Sequence, residues 1–263
     1  MPGPQDGSTL PRLVEIMQRL LAPGGCPWDR EQTLETLRNY VIEEAHEVVE
    51  AIDRGQPEEL REELGDLLLQ VVFQSELAQA QGWFGPDDVV AGICDKLVRR
   101  HPHVFGEVEV EGSEQVVDNW EAIKAREKQG RGVLDGVPVA LPALLRAVRV
   151  GDKAARVGFD WPDGAGARAK VDEELGELDR AIEGGERAAI EHELGDLLFS
   201  VANYARKLDI DPESALRGTL GRFTERVRGV EADARARGVD LDTLSPAELD
   251  ALWEAAKAAK APA

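Results

Sequence analysis

The stretch VIEEAHEVVEAIDRGQPEELREELGDLLLQ, residues 41–70, decides the fold, because it returns as VDEELGELDRAIEGGERAAIEHELGDLLFS at residues 171–200. With an offset of 130, residues 38–70 and 168–200 share 14 identical positions of 33 without a gap. Acidic residues dominate what is shared. Glu43, Glu44 and Glu47 fall on Glu173, Glu174 and Glu177, and Glu63-Leu64-Gly65-Asp66 falls on Glu193-Leu194-Gly195-Asp196. The chain is an internal duplication of one module.

Around this repeat, Gly and Pro punctuate stretches of helical periodicity, and no polar–apolar alternation is long enough for a strand. The expected class is all-α, as tandem duplicated helical-bundle modules. Helices are predicted over 33–53, 57–81, 86–100 and 114–128, then over 142–157, 166–183, 186–208 and 212–235. A last helix over 246–259 opens at Ser245, with Glu248 placed for a capping box. Gly130-Arg131-Gly132 and Gly136-Val137-Pro138 interrupt the periodicity. They set a first module at 1–130, a linker at 131–141 and a second module at 142–263.

Residues three apart share a helix face, so Glu44 and Glu47 form one pair and Glu63 and Asp66 another. Glu47 and Glu63 stand eight residues before and after Gly55, and Glu44 and Asp66 stand eleven. In an antiparallel hairpin, equal arms set the pairs side by side. Around Gly185, Glu177 and Glu193 repeat the spacing of eight, and Glu174 and Asp196 the spacing of eleven. A solvated acidic face is the plain alternative. Against it, the residues four further on from Glu44, Glu47, Glu63 and Asp66 are Val48, Ala51, Leu67 and Gln70, none of them basic. The helix carrying Glu63 and Asp66 is also apolar over most of its circumference, where uncompensated charge is expensive.

All-oxygen ligands suit Mg2+, or Mn2+, rather than zinc. A pair of such ions can bind a triphosphate, activate water and neutralise a leaving oxygen. Glu43 and His46 have the Glu-x-x-His spacing of di-iron bundles, but Gly176 replaces His46 in the second copy, so that motif is not repeated.

A formal charge of −20 disfavours nucleic acid and anionic membrane as partners. No apolar run approaches a membrane span, and the amino terminus lacks a signal-peptide pattern, so a cytoplasmic location is expected. Cys26 and Cys94 read as free thiols. With five Trp, two Tyr and six Phe, the core must be mostly aliphatic.

Glu-Glu-x-x-Glu followed by Glu-x-x-Asp resembles the signature of the all-α nucleoside triphosphate pyrophosphohydrolase superfamily. The whole chain is similar to its MazG family, through Cys26-Pro27-Trp28-Asp29, the segment from Lys96 to Phe105, Val157-Gly158-Phe159-Asp160-Trp161 and both acidic motifs. The resemblance implies Mg2+-dependent hydrolysis of NTPs and dNTPs to monophosphate and pyrophosphate, by a homodimer. It implies metal ligands at Glu174, Glu177, Glu193 and Asp196, the better established site, and at Glu44, Glu47, Glu63 and Asp66. It further implies nucleotide contacts from Lys170, Arg222, Arg226, Trp253 and Lys257, with Arg222 standing where the family is expected to show Lys.

Glu43 and Glu173, each beside a ligand pair, are candidate proton acceptors, with orientation of the ligands as the alternative role. Lys96 falls opposite Arg226 under the 130-residue offset and is the basic candidate of the first copy. His101 and His103, with no second His or Cys cluster near them, fit a structural or phosphate-binding role rather than a metal site. A regulatory module that senses nucleotide or metal without turnover is the alternative function. An intact acidic quartet in both copies disfavours it.

Overall fold

The computed structural model of the chain describes residues 9–113, 115, 116, 119, 120, 123, 127 and 132–258. It divides into two compact units, Met1–Gln129 and Gly130–Ala263. The described residues are helical with no strand.

In the first unit α1 spans Leu10–Leu21, α2 Pro27–Glu31, α3 Leu34–Arg54, α4 Pro57–Ala80, α5 Pro86–Arg100 and α6 Pro102–Phe105. In the second, α7 spans Ala143–Ala155, α8 Gly164–Gly184, α9 Arg187–Lys207 and α10 Pro212–Arg237. A short 3-10 turn at Leu241–Thr243 precedes α11, Pro246–Ala258. The expected helix over 114–128 lies mostly outside the described residues.

The helices begin and end where local chemistry dictates. Thr33 and Thr36 exchange hydrogen bonds at the start of α3, Thr36 N donating to Thr33 Oγ1 (3.2 Å) and Thr33 N to Thr36 Oγ1 (2.9 Å). Asp163 Oδ1 caps α8 by accepting from the backbone of Ala165 and Gly166, and Asp211 caps α10 through Ser214 N. Such caps satisfy amides that have no partner inside the helix. The expected box at α11 forms, with Ser245 N donating to Glu248 Oε2 (2.8 Å) and Glu248 N donating to Ser245 Oγ (3.4 Å).

Both hairpins turn on a left-handed glycine, Gly55 at φ 66° and Gly185 at φ 73°. Only glycine adopts this backbone without penalty, and the turn brings α3 back along α4 and α8 back along α9. Gly185→Ala is expected to lower stability by about 1 kcal/mol, measured as a shift in urea midpoint with unchanged slope.

The first core joins Met17 of α1, Leu37 of α3, and Val72 and Phe73 of α4, flanked by Leu13, Leu20, Leu69 and Leu77. Helix α1 thus seals the hairpin on one side. In the second unit, Val230 and Ala234 of α10 pack on Leu252 of α11, with Trp253 and Ala256 at the margin. Both cores are largely aliphatic.

The opposite faces stay uncovered. Leu64, Leu68 and Val71 on α4, and at the same offset Leu194, Leu198 and Val201 on α9, are each more than two-fifths exposed. Leu216, Leu220 and Phe223 make a similar stripe on α10. Among the described residues no helix is long and apolar enough to cross a membrane.

Candidate metal centres

Each hairpin gathers carboxylates, three at a time. In the first unit, oxygens of Glu44 on α3 and of Glu63 and Asp66 on α4 lie within 4.8 Å of one another. In the second, oxygens of Glu174 and Glu177 on α8 and of Glu193 on α9 do the same. The fourth member of each quartet differs. Glu47 stands outside the first trio, although its charge helps to raise both Glu44 and Glu63. Asp196 stands outside the second, 3.3 Å from His192 Nε2 one turn earlier on α9.

Electrostatics differ as well. Burial, followed by the charge of Asp66, pushes the Glu44 carboxyl up. Burial, followed by Glu47 and then Asp66, pushes Glu63 up. These are acids crowding acids with nothing positive among them. In the second unit Lys170 Nζ lies 2.5 Å from Glu174 Oε1 and 2.9 Å from Glu173 Oε1. Those two carboxylates drive the Lys170 ammonium strongly upward, Glu174 first. Arg180 donates to Glu177 Oε1 at 3.2 Å.

The repeat offset explains the contrast: Lys170, Arg180 and His192 replace Tyr40, Glu50 and Glu62 of the first copy. The forward spacing of four that shows no basic partner in the first copy passes over these residues, which precede their acids by four or follow by three. A check of those positions in the second copy would have found them.

Glu174 is 4% exposed and its Oε2 is buried without a hydrogen-bond partner. A buried carboxylate oxygen needs a donor or a cation, since leaving it bare costs more than an unmade neutral hydrogen bond. The all-oxygen trio and this bare oxygen fit a hard divalent cation.

The other expected nucleotide contacts lie on α10 and α11. The Arg226 guanidinium sits 5.7 Å above the Trp253 ring, and Phe223 meets the same ring at 5.3 Å between centroids. Trp253 also borders the α10–α11 core and lines a cavity with Val227, Leu249 and Asp250. Arg222 donates to Thr219 Oγ1 and Lys257 pairs with Glu254. Of the five expected contacts, only Lys170 touches the carboxylates directly.

His46, the would-be di-iron ligand, is bonded through Nδ1 to the Ile42 carbonyl at 2.7 Å. His101 Nδ1 meets the Leu97 carbonyl, and the rings of His101 and His103 are 5.6 Å apart. Lys96 and His101 line a cavity with Arg100, whose guanidinium stacks on Trp120. Cys26 and Cys94 are free thiols.

Comparison with known proteins identifies the family. The model of the MazG nucleotide pyrophosphohydrolase domain matches residues 32–105 and 166–230, which contain both acidic quartets. The nucleoside triphosphate pyrophosphohydrolase/pyrophosphatase MazG of Thermotoga maritima is 44% identical over 253 residues, covering 95% of this chain and 96% of the relative. The nucleoside triphosphate pyrophosphohydrolase of Escherichia coli K12 is 43% identical over 252 residues, covering 94% and 96%. A mazG-related protein from Thermotoga maritima with a solved crystal structure matches at 29% identity and a TM-score of 0.39, over 44% of this chain and 98% of its own.

Proposed function

The chain belongs to the MazG nucleotide pyrophosphohydrolase family, and from that premise we propose that it cleaves NTPs and dNTPs to monophosphate and pyrophosphate with Mg2+ at its carboxylate trios. The enzyme class follows from relatives of 43–44% identity over nearly the whole chain. The observation that carries the cation's place is the bare, buried Oε2 of Glu174 inside a trio of carboxylates.

Glu174, Glu177 and Glu193 would hold the cation in the second unit, with Asp196 beside them on α9. Glu44, Glu63 and Asp66, with Glu47 beside them, do so in the first. A divalent cation there offsets the charge of the triphosphate and makes water more acidic; Mn2+ can substitute.

The chain's own groups supply the rest. Lys170 orients Glu173 and Glu174 and neutralises part of their charge. Glu173, adjacent to the trio but outside it, accepts the proton of the attacking water. Arg226, held over Trp253, meets phosphate charge, while the cavity that Trp253 lines receives the base; Arg222 and Lys257 reach phosphate once released from Thr219 and Glu254. The exposed stripes on α4 and α9 repeat at one offset and call for the same cover, which a second copy of the chain supplies by symmetry.

Chromatography of ATP and dNTP digests tests the reaction: monophosphate plus pyrophosphate is expected. Diphosphate plus phosphate would place cleavage at the γ-phosphorus, and no product would leave a sensing module. Mg2+ is also expected to raise the melting temperature, since a site at a hundred times its Kd adds about 2.7 kcal/mol. Thermal melts with Mg2+ and with a chelator check this, and Glu174→Gln should shrink the gain.

A further inference from the structure

The first unit contains a second concave site. A cavity of about 430 Å3 is lined by Leu34, Val41, Leu67, Val71, Ala78 and Phe84, with Gln70, Gln74 and Ser75 as its polar members. Gln70 is 7% exposed, and its Oε1 is buried with no hydrogen-bond partner. Amide carbonyls left bare in this way are destabilising by about 1–3 kcal/mol. The position therefore suits a ligand that brings its own donor.

The cavity continues the seam that holds the first carboxylates. Val41 precedes Glu44 by three residues, and Gln70 follows Asp66 by four. At about 1.5 Å rise per residue, the backbone of Gln70 stands roughly 6 Å along α4 from that of Asp66. The carboxylates and the cavity thus lie along the same pair of helices, one turn apart. Aliphatic walls, the Phe84 ring and an unsatisfied acceptor, with Gln74 and Ser75 beside it, are the complement of a flat heteroaromatic ring with an amine on its rim.

The second unit differs at the equivalent positions. There Gly164, Ser200 and Tyr204 take the places of Leu34, Gln70 and Gln74. The Tyr204 ring lies against Gly164, with its Cε2 3.9 Å from where a Cβ would stand. The amide acceptor has been lost and an aromatic ring lies over the start of α8.

We propose that the cavity between α3 and α4 is a nucleobase pocket belonging to the first module alone, in which Gln70 Oε1 accepts from an exocyclic amine and so selects among bases. This rests on reading the first carboxylates as a nucleotide site. The two modules then differ in selectivity, the first discriminating and the second permissive.

Calorimetry tests it on the full chain carrying Glu193→Gln and Asp196→Asn, with Mg2+. The ligands are the α,β-methylene analogues of ATP and of purine riboside triphosphate, which differ only in the exocyclic amine. The ATP analogue is expected to bind about tenfold more tightly, as one hydrogen bond to a buried acceptor allows. Gln70→Leu is expected to abolish that difference and, by removing a bare acceptor, to leave the melting temperature unchanged or higher. Equal binding of both analogues to the unsubstituted pocket overturns the proposal alone, as does a difference that persists in Gln70→Leu. Loss of self-association in Gln70→Leu assigns the cavity to a second copy and also overturns it. Absence of Mg2+-dependent binding by either analogue overturns both this proposal and the reading beneath it.

Discussion

Glu174→Gln combined with Glu193→Gln is expected to lower kcat/KM for pyrophosphate release from ATP by about 10^3-fold or more, equivalent to roughly 4 kcal/mol of lost transition-state stabilisation. The two residues come from opposite arms of the α8–α9 hairpin, and their oxygens lie within 4.8 Å together with one from Glu177. Each substitution removes one negative charge while keeping the shape, so folding should survive. The cation that these oxygens would hold has no equivalent partner left, because Lys170 already occupies one oxygen of Glu174. The matched pair Glu44→Gln and Glu63→Gln should cost less in the same assay, since the family resemblance makes the second unit's site the better established one. Steady-state kinetics at saturating Mg2+ distinguish the two. Equal losses from both pairs would mean the modules share turnover.

Asp160→Ala is expected to destabilise the second unit by about 2 kcal/mol, the partly solvated ion pair being worth less than a fully buried one. Asp160 sits in the connector between α7 and α8 and accepts from Arg206 Nη2 at 2.5 Å and Nη1 at 3.1 Å. Lys207 Nζ adds a third bond, 2.6 Å, to the same carboxylate and reaches the Trp161 carbonyl. The side chains of Arg206 and Lys207 are 13% and 16% exposed, so removing Asp160 strands two poorly solvated cations at the end of α9.

The Arg206 guanidinium above all, against the opposing effect of burial and with help from Lys207, holds the Asp160 carboxyl down to about 2. A folded-state value below the unfolded one means that this stabilisation is complete above pH about 4 and is lost as pH falls toward 2. Melting temperatures of the parent and Asp160→Ala should therefore converge over that window. At neutral pH and low temperature the variant should retain turnover, because the ion pair braces the hairpin without belonging to the carboxylate trio.

Much of the fold is written in the spacing of acids and glycines. The α3–α4 and α8–α9 hairpins end within two residues of the expected bounds because Gly55, Gly185, Pro57 and Asp163 punctuate the chain through backbone conformation and capping, which are local properties. Helices α1 and α2 are absent from the sequence reading. Pro11 and Pro27 occupy first-turn positions in them, and α1 earns its place by packing Met17 against Phe73, a contact between residues far apart in sequence.

The candidate site is legible to a similar depth. Equal arms about each glycine predict that the acids meet. They do not predict that Glu47 is left out in the first unit and Asp196 in the second, because that depends on side-chain partners. Asp196 lies 3.3 Å from His192 Nε2, whereas Glu62 at the equivalent position offers no ring nitrogen. Gln70 was similarly silent: a lone glutamine in an apolar helix carries no motif, and only its burial without a donor marks it.

The central claim is that both carboxylate trios are divalent-cation sites, and Mn2+ titration followed by electron paramagnetic resonance tests it most directly. The parent chain should show two classes of bound Mn2+, with Glu174→Gln plus Glu193→Gln removing one class and Glu44→Gln plus Glu63→Gln removing the other. A chain bearing all four substitutions that still binds as much Mn2+ as the parent would contradict it.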